Sequence, residues 1–241
     1  MVARTPPVGA QMDGWLDHTV TWWDALIHPD RAARLVLEKE KRAGFNPFLA
    51  TCIVLLYMLY GVSMGMFRGY WPALVSGLKL PFLYLFTLLI CFPALYALNC
   101  THGPRLKVLE CLRLLLIATS ANAAALASYA PFSLFFTLTT SRAGYSFLVL
   151  MHVVVFGASA IVSLAVIVLI FRATAAELGH RLRGQVVVPW GILYAFVGTQ
   201  MSWVLRPWIG SWSGPYAPFR RLGGSFVEAV WHLVLRFWAI G

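Results

Sequence analysis

From Ala43 to Phe67 the chain carries no charged side chain, and four more long apolar stretches follow. A helix needs about 20 residues to cross a hydrocarbon core, and each stretch supplies them. In lipid every backbone N–H and C=O must be paired within the protein, so spanning segments are helices or closed barrels, and runs of this length select helices. The 241 residues are 60% hydrophobic and 12% charged, with a mean hydropathy of +0.74. A soluble domain carries about 25% charged residues, so a water-soluble globular fold is excluded. The pattern predicts an all-α, polytopic transmembrane helix bundle of five spans, at 47–66, 81–100, 107–130, 145–171 and 186–205, with interfacial amphipathic helices at both ends. No room is left for a separate catalytic domain.

Residues 1–44 read as a cytoplasmic N-terminal region without a signal peptide, and its first dozen residues as disordered or loosely docked. From Trp15 the apolar residues Leu16, Val20, Trp22, Trp23, Leu26 and Ile27 gather on one side at helical spacing, opposite Asp17, His18, Thr21 and Asp24. An indole has an apolar body and a donor to satisfy, so Trp15, Trp22 and Trp23 suit the head-group level of a membrane or a partner surface. Asp30 reads as the N-cap of a second helix that ends at Gly44, and Pro47 opens the first span. The segments FRGYWPALVSGLK and PFSLFFTLTTSRAG are too apolar for bulk water and too short to span, which places both in the interface. Residues 206–241 read as an outer-side tail ending in the helix SFVEAVWHLVLRFWAI. There Glu228, His232 and Arg236 form one polar stripe, and Phe237 and Trp238 offer contact to lipid or a partner.

The 19 Lys and Arg exceed the 9 Asp and Glu, and residues 1–42 hold six of each sign, so the whole +10 belongs to the membrane part. Such a basic rim favours anionic lipid head groups, whereas nucleic-acid binding would need a basic stripe on a water-facing domain. With the N-terminus cytoplasmic, 11 Lys and Arg fall on that side, among them Arg31, Lys107, Arg113 and Arg172, and 6 on the other, Arg68, Lys79 and Arg142 among them. This bias predicts a multi-pass cell-membrane protein with its N-terminus inside and its C-terminus outside, in a bacterial inner membrane.

Chemistry-bearing constellations are sparse. Cys100, His102, Glu110 and Cys111 are all of metal-ligand type but match no metal motif, and the four cysteines read as small buried hydrophobes, not a disulfide framework. Glu110 and Arg113 read as an ion pair at i and i+3. His152 is a lone imidazole in the fourth span, open to a proton-relay or cofactor reading, or to a hydrogen bond with Asn122, Gln200 or a serine. Asn122 and Gln200 read as interhelical glue. No Asp, Glu, Lys or Arg stands at the middle of a span, which weighs against active transport. Nucleophile elbows, P-loops, paired carboxylates and HExxH motifs are absent, so neither catalytic residues nor a metal or cofactor is expected. Small residues are the clearest packing signal: Gly61, Gly65 and Gly69 at the end of span one, Gly191 and Gly198 in span five, and an Ala- and Ser-rich third span.

The order of these features over about Ala25 to Phe171 resembles the Yip family. It is carried by IHPDRAARLVLEKE, then YGVSMG in the first span, then KLPFLYLFTLLICFPALYALNCTHGPRLKVLECLRLLL leading to an Ala-rich span that ends SYAP. The family comprises five-span membrane proteins named for interaction with small GTPases, with cytoplasmic N-terminal regions and distant bacterial members. The resemblance implies membrane organisation or partner binding and no catalytic residues; the Trp-rich start and the tail from Arg206 depart from it. The expected function is a non-enzymatic scaffold or accessory subunit in a hetero-oligomeric membrane assembly. A small-solute permease or channel subunit lined by Asn122, His152 and Gln200 is the alternative, and a redox subunit built on His152 the third reading.

Overall fold

The computed structural model describes residues 8–38, 44–140, 144–179 and 186–205, with Trp231 and Leu235 beyond them. Among these residues the secondary structure is helical, without strands. The chain order is α1 (Val8–Ile27), α2 (Pro29–Leu37), α3 (Phe45–Gly65), a 3₁₀ turn (Met66–Arg68), α4 (Tyr70–His102), α5 (Val108–Ser128), α6 (Ala130–Thr139), α7 (Tyr145–Glu177) and α8 (Val187–Val204). Four stretches among the described residues are long and apolar enough to cross a membrane: α3, α4, α5 continued by α6, and α7. The architecture is that of a multi-pass, all-helical membrane protein.

Cross-helix contacts fix the direction of each helix. Asn46 pairs with Arg113, Tyr57 with Asn122 and Ser63 with Ser133, so α3 and α5 run parallel. Asn122 meets Ser159, Ala118 meets Ser163 and Arg34 meets Glu177, so α7 descends against α5 towards α2. Trp190 bonds Cys91 and Lys79 bonds Leu205, so α8 climbs along α4. One end of the bundle therefore gathers α1, α2, the start of α3 and the turn from α4 to α5. The other gathers the 3₁₀ turn, α6 and the end of α8. The α5–α6 stretch is the most enclosed, 72% buried in its most apolar window against 22% for α7.

The second helix differs in detail from its sequence reading. Pro29 occupies the first turn, His28 is the N-cap, and Asp30 sits inside that turn, where its charge complements the helix dipole. The small side chains Ala32 and Ala33, with Val36, are fully buried, which lets α2 lie close to the bundle. At the elbow between α1 and α2, Arg31 hydrogen-bonds Asp24 and holds that carboxyl below its ordinary range.

Within the segment read as an interfacial stretch at 67–80, residues 70–80 form the first third of α4, which runs through Pro81 and Pro93 as one helix. Tertiary contact accounts for it. A Cβ at Gly61 would stand 2.6 Å from the Ser76 carbonyl oxygen, and one at Gly65 would stand 2.7 Å from Ala73 Cα and the Pro72 carbonyl oxygen. The backbones of α3 and α4 touch there, and residues 70–80 are held helical against α3. Likewise PFSLFFTLTTSRAG contains α6: the chain turns at Tyr129, Pro131 falls in the first turn of the new helix, and Ala130, Ser133 and Thr137 are buried while Phe132, Phe135 and Leu138 face outward. Helix α7 continues past 171 to Glu177.

Candidate functional site

Helix α3 turns three buried polar residues, Tyr57, Tyr60 and Ser63, towards the bundle axis, each one helical turn beyond the last. Each finds a partner on a different helix. The Tyr57 hydroxyl donates to Asn122 Oδ1 at 2.9 Å, and Asn122 Nδ2 donates onward to the Ser159 carbonyl at 2.9 Å, so one amide joins α3, α5 and α7. The Tyr60 hydroxyl lies 2.7 Å from His152 Nδ1 on α7. Ser63 donates to its own helix at the Tyr60 carbonyl, 2.7 Å away, and reaches Ser133 on α6 at 3.2 Å. Rings reinforce the column: Tyr57 stacks on Tyr84 of α4 at 4.1 Å, and Tyr60 meets His152 and Phe156 edge-on.

Two atoms in this seam, His152 Nε2 and Thr137 Oγ1, are buried without a hydrogen-bond partner among the described residues. Below the seam, towards α1 and α2, the axis is apolar, filled by Leu49, Ile53, Leu114, Ile117 and Phe171. The described carboxylates, on α1 and α2, at Glu38, in the first turn of α5 and at the end of α7, all lie at that same end, remote from the seam. The seam can therefore hold helices in register and share a proton between Tyr60 and His152. It has no carboxylate to orient that imidazole as a general base.

His152 thus pairs with a tyrosine on α3, not with Asn122, Gln200 or a serine. Gln200 is exposed on α8, away from the seam, because the buried face of that helix is the one carrying Trp190, Tyr194, Val197 and Met201. Gly61 and Gly65 lie on the α3–α4 contact, but Gly69 stands apart from that ridge. It is the N-cap of α4 at φ +108° with open space beside it, a backbone state that favours glycine. A Cβ at Gly191 would meet Leu164 at 2.9 Å, and one at Gly198 would meet Thr87 at 3.6 Å.

Trp22 departs from a purely interfacial role. Its indole donates to Ser120 Oγ on α5 at 2.7 Å, so α1 is tied to the bundle. Trp15 and Trp23 remain exposed. Glu110 and Arg113 do not pair: Glu110 accepts from the Lys107 backbone N–H and closes a capping box. Arg113 Nη1 donates to the Leu35 and Glu38 carbonyls, both at 2.7 Å, and its Nε donates to Asn46 Oδ1 at 3.2 Å. One guanidinium therefore caps the end of α2 and fastens it to α3 and α5. Cys111 is buried and Cys100 exposed, and among the described residues no group of three His, Cys, Asp or Glu side chains could hold a metal ion. Glu228, His232, Arg236, Phe237 and Trp238 lie outside the described residues; Trp231 and Leu235, one turn apart in the same segment, are helical and exposed.

Lys79 carries no functional signal in the sequence beyond its charge. It is 6% exposed, and its ammonium donates to the Leu205 carbonyl at 3.0 Å, placing a cation at the C-terminal end of α8. The one sequence signal at this position is a lone charge set in the apolar run VSGLKLPF. Compared with protein-family models, with curated proteins and with solved structures, the chain matches none.

Proposed function

We propose that this protein is a non-enzymatic scaffold or accessory subunit of a larger membrane assembly, with α8 as a fifth span, α1 at the cytoplasmic interface and the C-terminus outside. The observation that carries the reading is the inward use of polarity: Tyr57, Tyr60 and Ser63 of α3 bond Asn122, His152 and Ser133, and Asn122 bonds the Ser159 carbonyl, across four helices. These bonds hold the helices to one another, and the outward faces on α4, α7 and α8 are left to lipid and partner helices. Exposed aromatics such as Trp71, Phe82, Phe86 and Phe196 supply contact area there. The Yip-like order of features points the same way, towards organisation of membranes and partners.

The open Nε2 of His152 is the observation that favours the rival permease reading. Flux separates the two. The purified protein in liposomes should pass no more glycerol or urea than protein-free vesicles, because the apolar plug around Ile53, Ile117 and Phe171 closes the axis. Solute flux that is lost in a His152→Phe variant would overturn the scaffold reading.

A further inference from the structure

Asn46, Asn99 and Asn122 each bond another segment of the chain: Asn46 bonds Arg113, Asn99 bonds the Leu106 backbone in both directions, and Asn122 joins α3, α5 and α7. Gln200 on α8 differs from them. It is exposed and makes no hydrogen bond among the described residues. Its depth follows from its neighbours. Trp190 lies against Cys91, Gly198 against Thr87 and Leu205 against Lys79, so Gln200 stands level with Tyr84 of α4. Tyr84 stacks at 4.1 Å on Tyr57, which sits in the middle of α3 and bonds Asn122. The amide is therefore at mid-bundle depth but on the outward face of α8. It forms a row there with Ile192 and Phe196, 68% and 63% exposed, each one helical turn from the next. Trp190, Tyr194, Val197 and Met201 take the opposite, packed side.

With α8 as a span, an amide in that position faces hydrocarbon, where unpaired donors and acceptors are costly and a facing helix is what satisfies them. The amide also selects the helix. Glutamine carries a donor and an acceptor together, so it is complementary to its own copy: across a two-fold axis each Nε2 donates to the other Oε1. Copies of one chain share one orientation in the bilayer, which sets α8 beside α8 in parallel and Gln200 beside Gln200 at equal depth. An unrelated helix would need a matching polar group at that same depth. We infer that α8 is a homodimer face on which a second copy of this chain packs against Ile192, Phe196 and Gln200, with two reciprocal amide hydrogen bonds at its centre. The inference rests on α8 crossing the membrane.

Single-molecule photobleaching of the fluorescently labelled full chain in liposomes, at increasing dilution by lipid, tests this. The wild type should persist as particles that bleach in two steps. Gln200→Leu should associate about tenfold more weakly, and Gln200→Asn, which keeps an amide, should stay nearer the wild type. A diazirine amino acid placed at Phe196 gives a second readout in the native membrane. It should yield a cross-linked dimer of this chain, whereas the same probe at Ile161, on the exposed face of α7, should not. One-step particles of the wild type, equal association by Gln200→Leu, or cross-links from Phe196 only to lipid or to a different polypeptide would overturn the assignment to a second copy. A protease site inserted after Gly214 locates α8. Cutting only from the side that carries Met1 would remove the span on which the inference rests, and cutting from the opposite side together with one-step particles would overturn the dimer alone.

Discussion

At the scale of single residues, Asn122 and His152 make different demands on the bundle. Asn122 is bonded on both sides, so Asn122→Leu leaves the Tyr57 hydroxyl only its longer contact with the Thr119 carbonyl, at 3.4 Å, and removes the tie to the Ser159 carbonyl of α7. The loss should be about 1–3 kcal/mol, read as a lower thermal midpoint in mild detergent. His152→Leu breaks one bond to Tyr60 but also removes a buried nitrogen that has no partner, so it should cost less than Asn122→Leu. The reverse order would show that His152 carries interactions beyond the tyrosine. Asn122 and His152 stand out in the sequence because they are an amide and an imidazole at mid-span, where the other polar residues are serine and threonine. Their partners do not: the tyrosines of LLYMLYGVS read as ordinary span aromatics, and only the fold reveals that Tyr57 and Tyr60 share a face with Ser63. Gln200 illustrates the opposite failure, since a helix that is apolar all round gives no periodicity from which to choose its inward side.

At the scale of helices, glycine positions separate true close approaches from incidental ones. Gly65→Ala places a methyl 2.7 Å from the α4 backbone and should destabilise the protein by about 1–3 kcal/mol, whereas Gly157→Ala on α7 meets nothing within 4 Å and should be neutral or mildly stabilising. Thermal unfolding of both variants checks this, and equal behaviour would show that the α3–α4 contact is looser than described. The small-xxx-small spacing makes Gly61 and Gly65 legible in the sequence, but the same spacing also draws in Gly69, whose role is a turn. The bounds of α4 and α6 are less legible: Pro81 resembles a helix start yet lies inside α4, and Pro131, which reads as the end of the third span, falls in the first turn of a further helix. At Arg113 sequence proximity misleads: Glu110 is the nearest charge, yet the guanidinium reaches the carbonyls at the end of α2, whose arrival from elsewhere in the chain is a tertiary event.

For the whole molecule, apolar run lengths make the all-helical membrane architecture readable from sequence, while lateral arrangement and partners are not encoded in composition. The proposed cytoplasmic start, with α8 as a proposed fifth span, puts the C-terminus outside. A reporter fused after Gly241 should therefore signal from the outer side and one inserted after Gly44 from the cytoplasm. Both signals on one side would mean an even number of spans and remove α8 or add the segment around Trp231 and Leu235 to the membrane. The central claim is that this bundle works by holding other membrane proteins, and the mass of its native particle tests it most directly. Extracted from its own membrane in a polymer nanodisc and weighed by mass photometry and proteomics, the chain should appear with a second polypeptide in fixed stoichiometry. A particle containing this chain and lipid alone would contradict the account.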